Sequence, residues 1–273
     1  MATLSAEPAP STPPRTPPRN RPVTATLSDG TSVKCQIDHK ESDVPIFMSD
    51  RFVPLEASDA PITMVPVGEK FPGAFVLQNF LSASECADMV QCAEAMGFEA
   101  AKVTTGRGMV SIPDLRSNER VIWHTGPGML EPLTERLLPF LQRPEVADLL
   151  PGWTPYALNE RLRLFKYSKG QEFRKHFDGG YNRNRFDRSH MTFIAYLGTP
   201  EEGGDTGFYD DAGSLHATVP AKKGNALVFF HQNHHFSPLH SGMPVLRGTK
   251  YAVRSDIMFS KSPPLSTTVA GEH

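Results

Sequence analysis

Residues 175–180, KHFDGG, set His176 and Asp178 two positions apart ahead of a glycine pair. In an extended segment, side chains at i and i+2 leave the same face, so these two point together, which is either half of a metal site or an accident of spacing. Imidazole and carboxylate donors without a thiolate suit Fe(II), Mn(II) or Zn(II). A third donor must come from His190, His216, His231, His234, His235, His240 or His273. His190 precedes a strand-like run and His216 sits inside one, both positions where ordinary half-buried histidines occur. His231, His234 and His235 crowd one turn, and composition does not separate them from His240.

Elements of regular structure must position these groups. From residue 161 onward the chain breaks into eight short β-like segments: RLRLFKYS, QEFRKHFD, MTFIAYLG, DTGFYDD, SLHATVPA, NALVFFHQ, FSPLHSGM and KYAVRSDIMFS. Gly170, Gly203-Gly204, Gly213, Gly224 and Gly248 punctuate them. Eight such strands predict an α+β fold with a double-sheet jelly roll or barrel at its core and helices outside it. The first helix is announced by Ser82 and Glu85, a capping box, with Leu81 as hydrophobic staple. Cys86, Met89, Val90 and Ala93 then recur at helical spacing, and Gly97 stops the run. A second helix is expected over 130–142, where Leu130, Leu133, Leu137, Leu138 and Leu141 share a stripe despite Pro132 and Pro139. Both stripes read as core-facing. Earlier, Asp29-Gly30 inside VTATLSDGTSVKCQI predicts a hairpin over 23–37 closed by a two-residue turn. Residues 38–68 show no period and are expected to wrap the surface as an extension of that hairpin.

Composition bounds the rest. The chain has 273 residues, 39% hydrophobic and 21% charged, with a formal charge of −2. That balance gives no reason to expect nucleic acid or an anionic membrane as a main partner. No apolar run approaches the roughly 18 residues that span a bilayer, and no secretory signal core is seen, so the expected compartment is the cytosol. Cys35, Cys86 and Cys92 form no metal or redox spacing. Residues 1–22, rich in Pro, Ser, Thr and Arg, cannot bury enough surface to order and are expected to be a disordered tail, with TPPRTPPR open to a Pro-binding partner. Residues 262–273 are expected to be a flexible tail.

The frames YSKGQEFRKHFDGG, TFIAYLG…EEGGDTGFYDD, PAKKGNALVFF and HSGMPVLRGTKYAVRSDIMF follow one another in the chain. Together they resemble the prolyl 4-hydroxylase-like branch of the Fe(II)/2-oxoglutarate dioxygenases. That family's pattern runs Y-x-x-G-Q-x-F-x-x-H-x-D, a Y-L strand, G-G-x-T-x-F, P-x-x-G-x-A-L-x-F and H-x-G-x-P-V-x-x-G-x-K. The resemblance covers residues 70–260 and is strongest over 161–259. It implies a dioxygenase domain over 69–261 whose double-stranded β-helix core is 161–260.

The same resemblance implies His176, Asp178 and His240 as iron ligands, His240 because it alone opens HSGMPVLRGTK. The cation that anchors the distal carboxylate of 2-oxoglutarate falls on Lys250. Tyr167 and Thr192 match positions that hydrogen-bond that carboxylate. Arg254 shares the strand face of Lys250 by parity but lies four residues farther, roughly 13 Å along the strand. Only one of the two cations comfortably reaches the cosubstrate, and the resemblance selects Lys250. The implied chemistry consumes Fe(II)-bound 2-oxoglutarate and O2, releases succinate and CO2, and hydroxylates an unactivated C–H, with ascorbate keeping the iron reduced. Two histidines and one carboxylate leave open positions on the metal for that purpose.

The substrate is less legible. The insert GGYNRNRFDRSH lies where the family keeps a mobile lid, and Arg183, Arg185 and Arg188 there either meet an acidic or peptide substrate or pair locally around Asp187. DLRSNERVIW brings Arg116, Asn118 and Arg120 toward the expected mouth. A prolyl or peptidyl residue, a free amino acid and a natural-product scaffold all suit the pattern. Two other classes compete: a cupin-like metal-dependent hydrolase or isomerase with zinc or manganese, which has no use for Lys250, and a non-catalytic metal-binding sensing module, against which the intact set His176, Asp178, His240 and Lys250 speaks.

Overall fold

The computed structural model describes residues 21–261 except 42, 52, 54, 56–59, 106, 107, 111, 113, 232 and 233. Most of the tail expected over 1–22, with its Pro-motif, and the tail over 262–273 with His273 lie outside the described residues.

Strand parity organises the molecule. Along the strand Asp187–Gly198, Met191, Phe193 and Ala195 face one side and join the larger hydrophobic core, whereas Ile194 and Tyr196 face the other and join a smaller one. The strand Ala226–Phe230 divides likewise, Val228 and Phe230 from Leu227 and Phe229, and all five of its residues are buried. A strand covered on both faces reads as an unbroken apolar run, which is why ALVFF shows no alternation.

These strands belong to a large sheet of mostly antiparallel order. It runs Val23–Thr26, Ser32–Glu41, Val44–Ser49, Glu119–His124, Arg161–Tyr167, Lys250–Ser260, Asp187–Gly198, Ala226–Phe230, Phe75–Gln78, Thr63–Pro66. A small antiparallel sheet, Phe173–His176, Leu239–Gly242, Thr206–Tyr209, Leu215–Val219, lies against one face. Phe208 and Val219 of the small sheet pack with Tyr196, Leu227, Phe229 and Ala252 of the large one. The helices cover the opposite face. Each of the eight segments read as β-like from residue 161 contains one strand.

Helix Ala83–Met96 starts as its sequence demands. Glu85 N–H donates to Ser82 Oγ at 3.1 Å, and Ser82 N–H donates to a Glu85 carboxylate oxygen at 2.7 Å. Glu85 is buried and also takes a bond from Arg136 at 2.7 Å, which ties this helix to the next. That next helix, Pro127–Leu141, begins three residues before the expected 130. Proline at the first helical position has its φ preset and no N–H to leave unpaired, so it extends the helix at little cost.

Two N-terminal expectations need correction. The hairpin turn is not the two-residue type, because Thr26 pairs with Ser32 and five residues, 27–31, connect the strands. Leu27 is drawn into the core, and Ser28 donates through N–H and Oγ to the Asp88 carboxylate of helix Ala83–Met96, at 2.7 and 2.9 Å. Anchoring to a distant helix has widened the turn. The stretch 38–68 does not simply wrap the surface either. Val44–Ser49 sits inside the large sheet, antiparallel to Ser32–Glu41 and parallel to Glu119–His124, with Ile46 and Phe47 buried. None of the described helices is long and apolar enough to cross a membrane.

Candidate metal centre

The small sheet brings the two histidines together. His176 ends the strand Phe173–His176 and is the direct cross-strand partner of His240, with ring centroids 4.3 Å apart. Asp178 follows two residues later, just past the strand end. His176 Nε2 lies 3.6 Å from Asp178 Oδ1, and His240 Nε2 lies 3.6 Å from Asp178 Oδ2. Ligand atoms of all three residues fall within 4.8 Å of one another.

Each imidazole is backed by a backbone carbonyl two residues upstream. His176 Nδ1 sits 2.7 Å from Arg174 O, and His240 Nδ1 sits 3.1 Å from Pro238 O. A carbonyl only accepts, so Nδ1 carries the proton and Nε2 keeps its lone pair for the side where Asp178 stands. Burial also pushes His240 down to about 4, which keeps it neutral near pH 7. Burial alone would raise the Asp178 carboxyl, but Arg254, His240 and His176 together outweigh it and hold it well below the usual carboxylate range. The donor set thus suits a divalent first-row ion: one carboxylate and two imidazoles, each already oriented by a carbonyl behind its Nδ1.

The other histidines have other occupations. His231 is buried with Nε2 2.8 Å from Ser189 Oγ, and a Cβ on Gly180 would stand 2.6 Å from its ring. Gly180, the second of the glycine pair after Asp178, therefore makes room for His231. His234 meets Leu149 O at 3.1 Å and stacks on Phe230, His216 pairs with Asp210 at 2.7 Å, and His190 packs edge-on to Trp153. A second grouping, Asp38, His39 and His124, lies on the N-terminal strands, with Asp38 and His39 exposed.

Parity on the strand Lys250–Ser260 places Lys250, Ala252 and Arg254 in one cavity with the triad, together with Tyr167, Phe173 and Arg116. Lys250 pairs in register with Tyr167 and donates from Nζ to Gly204 O at 2.6 Å. Burial pushes its ammonium down to about 8. Gly204 adopts φ +79, a left-handed conformation that suits glycine, and so turns its carbonyl to the lysine. Arg254 occupies the opposite end. Its Nη1 lies 3.1 Å from Asp178 Oδ1, while Nη2 contacts Asp256 Oδ1 at 3.2 Å and Gly179 O at 3.3 Å. Both cations expected on this face line the cavity, one at each end.

Thr192 has a partner in the triad that the sequence did not suggest. It is fully buried and donates from Oγ1 to Asp178 Oδ2 at 2.9 Å, so it orients the carboxylate of the triad. Thr192→Val is expected to weaken Mn(II) binding about 10- to 100-fold, the usual cost of losing such a backing bond, in a direct metal titration. Unchanged affinity would mean that Asp178 is oriented without it. Reasoning from sequence also gave no sign of Phe173, whose ring stacks on His176 at 3.5 Å, nor of the Arg254–Asp178 pair. Parity could have suggested the latter. The three arginines of the insert have local partners: Arg183 with Tyr156, Arg185 over Phe186, and Arg188 over Trp153.

Residues 162–255 match the 2OG-Fe(II) oxygenase superfamily. Among curated relatives, prolyl 4-hydroxylase 2 of Arabidopsis thaliana is 27% identical over 66% of this chain and 65% of its own length. Probable prolyl 4-hydroxylase 6 of the same plant is 28% identical over 66% of this chain and 67% of its own length. The chain thus spans about 65% of the length of the curated relatives it matches first. A crystal structure of a viral collagen prolyl hydroxylase from Paramecium Bursaria Chlorella virus-1 with 2OG aligns over 69% of this chain and 96% of that one, at 21% identity and a TM-score of 0.47.

Proposed function

We propose that this chain is an Fe(II)- and 2-oxoglutarate-dependent hydroxylase of the prolyl 4-hydroxylase-like kind, acting on a C–H of a prolyl, peptidyl or small-molecule substrate; the match of residues 162–255 to the 2OG-Fe(II) oxygenase superfamily and the likeness to plant prolyl 4-hydroxylases support this reading. The observation that carries this reading is the cross-strand pair His176 and His240, each with its Nε2 3.6 Å from a different oxygen of Asp178, in one cavity with Lys250. The large and small sheets are the two sheets of a double-stranded β-helix in this reading. Residues 69–261 are the catalytic unit, and the strands between 23 and 66 extend its large sheet.

Bound Fe(II) would supply O2 activation coupled to conversion of 2-oxoglutarate to succinate and CO2, with ascorbate as the reductant that keeps it ferrous. The residues of this chain hold and orient. His176, Asp178 and His240 would hold the ion, and Thr192 fixes Asp178. Lys250 exchanges its bond to Gly204 O for the distal carboxylate, where its charge in a poorly hydrated pocket favours a dianion. Tyr167 adds a hydroxyl beside it, and Phe165 and Phe173 help to exclude water. Cys35, Cys86 and Cys92 are free thiols, which accords with the reducing cytosol.

The test uses purified protein with Fe(II), 2-oxoglutarate and O2. Succinate should form in step with cosubstrate loss, and anaerobic addition of Fe(II) and 2-oxoglutarate should raise a visible absorption band. A metal hydrolase or isomerase would give neither, and its activity would survive loss of Lys250.

A further inference from the structure

Three cations, Arg116, Lys250 and Arg254, line the cavity against one carboxylate, Asp178. Lys250 is satisfied by Gly204 O, and Arg254 by Asp178, Asp256 and Gly179 O. Arg116 is different. It is 8% exposed, its guanidinium lies over the rings of Phe165 and Phe173 at 4.6 and 4.4 Å, and its Nε donates to Asn118 Oδ1 at 2.7 Å. Its Nη2 is buried and has no hydrogen-bond partner.

An arginine does not relieve burial by losing its proton, because its affinity for the proton is too high. An unpaired donor on a buried guanidinium is therefore a standing cost until an acceptor arrives, and the acceptor that matches the planar fork is a carboxylate. The aromatic rings and Asn118 hold the fork in place, so little ordering remains to be done on binding. Charge points the same way. Burial, with Arg116 and Arg163 beside it, pushes nearby Arg120 down to about 9. In the function proposed above, a divalent ion adds two charges to the cavity and a dicarboxylate cosubstrate removes two, so the positive excess remains.

We propose that the primary substrate carries a carboxylate, which Arg116 receives inside the cavity. This rests on the proposed function for the metal and cosubstrate, and it narrows the substrate to an acid: a free amino or imino acid, or a peptide that presents an acidic residue beside the reacting one. Asn118 is the positioning residue for the fork.

The experiment uses the full chain loaded with Mn(II) and N-oxalylglycine, a non-reacting 2-oxoglutarate analogue, and measures binding of matched carboxylate and amide pairs by calorimetry. The pairs are acetate with acetamide, L-proline with L-prolinamide, and an amidated Pro-Glu peptide with its Pro-Gln counterpart. A charge-assisted bond is worth about tenfold or more in affinity, so the acid of at least one pair should exceed its amide by that factor. Arg116→Gln should erase the margin, and Arg116→Lys should keep part of it should the glutamine variant fail to fold. Strong preference in the proline pair identifies a free acid, and preference in the peptide pair alone identifies an acidic peptide. The proposal is overturned by equal binding within every pair, by a margin that survives Arg116→Gln, or by loss of N-oxalylglycine affinity in Arg116→Gln, which would assign Arg116 to the cosubstrate. Failure of the wild type to take up Mn(II) or N-oxalylglycine would instead sink the proposed function, and the acetate pair would still report on Arg116.

Discussion

His240→Ala is expected to abolish metal capture and 2-oxoglutarate turnover, while His234→Ala and His235→Ala leave both largely intact. His240 is buried, carries its proton on Nδ1 against Pro238 O, and holds Nε2 3.6 Å from Asp178 Oδ2. Its removal leaves two of three protein donors. Outer partners of metal ligands are worth about 10- to 100-fold in affinity, so loss of a ligand itself should cost on the order of 100-fold or more. His176→Ala and Asp178→Ala should match it. His234 by contrast faces Leu149 O and Phe230, and His235 packs at a tilt against Phe236, with ring centroids 3.8 Å apart. Mn(II) titration of folded variants is the measurement. The ligand assignment fails if His235→Ala loses the metal and His240→Ala retains it.

Lys250→Ala should bind metal nearly normally but lose affinity for 2-oxoglutarate. Truncating one partner of a desolvated charge pair typically costs about 2–5 kcal/mol, which is on the order of 30-fold or more in the dissociation constant. The pH dependence gives an independent check. Burial depresses Lys250 from its ordinary value to about 8, so below that pH the ammonium is already formed in the free protein. As pH rises through 8 the amine is neutral, and binding must take up a proton. Affinity should therefore fall by up to about tenfold per pH unit above 8. Lys250→Arg, always charged, should flatten that profile while restoring only part of the affinity, since a planar fork does not replace a point charge. Arg254→Ala acts elsewhere: it removes the counter-ion of Asp178, so metal binding should change more than cosubstrate binding. Normal 2-oxoglutarate affinity in Lys250→Ala, with loss in Arg254→Ala, would reverse the anchor assignment.

How much of this was legible in the chain depends on how local each cause is. The capping box of Ser82 and Glu85 spans four residues, and the helix begins there. The parity of Lys250 and Arg254 needs only a strand; His176 and Asp178 converge although Asp178 lies just past the strand end, and each pair shares the cavity. Choosing His240 among seven histidines needed the surrounding frame HSGMPVLRGTK, because nothing in an isolated imidazole marks a ligand. Illegible features depend on partners far away in sequence. The turn after Thr26 is widened by Asp88, the strand Val44–Ser49 finds Glu119–His124, and Thr192 meets Asp178. The Pro127 start was missed for another reason: the leucine stripe begins only at Leu130, and a proline at the first helical position adds nothing to it.

The small sheet has strands of only four or five residues, and its edge strand Phe173–His176 carries one histidine of the triad and pairs with the strand that carries the other. Asp178 is held by Thr192, and Lys250 stands at the head of its strand, both on the large sheet. Short edge strands open locally far more often than the whole molecule unfolds. Each such opening would part His176 from His240 while leaving the carboxylate and the lysine where they were. A metal ion held by His176, His240 and Asp178 would act as a clasp on that edge, and its residence time would be a clock for the breathing of one thin strand.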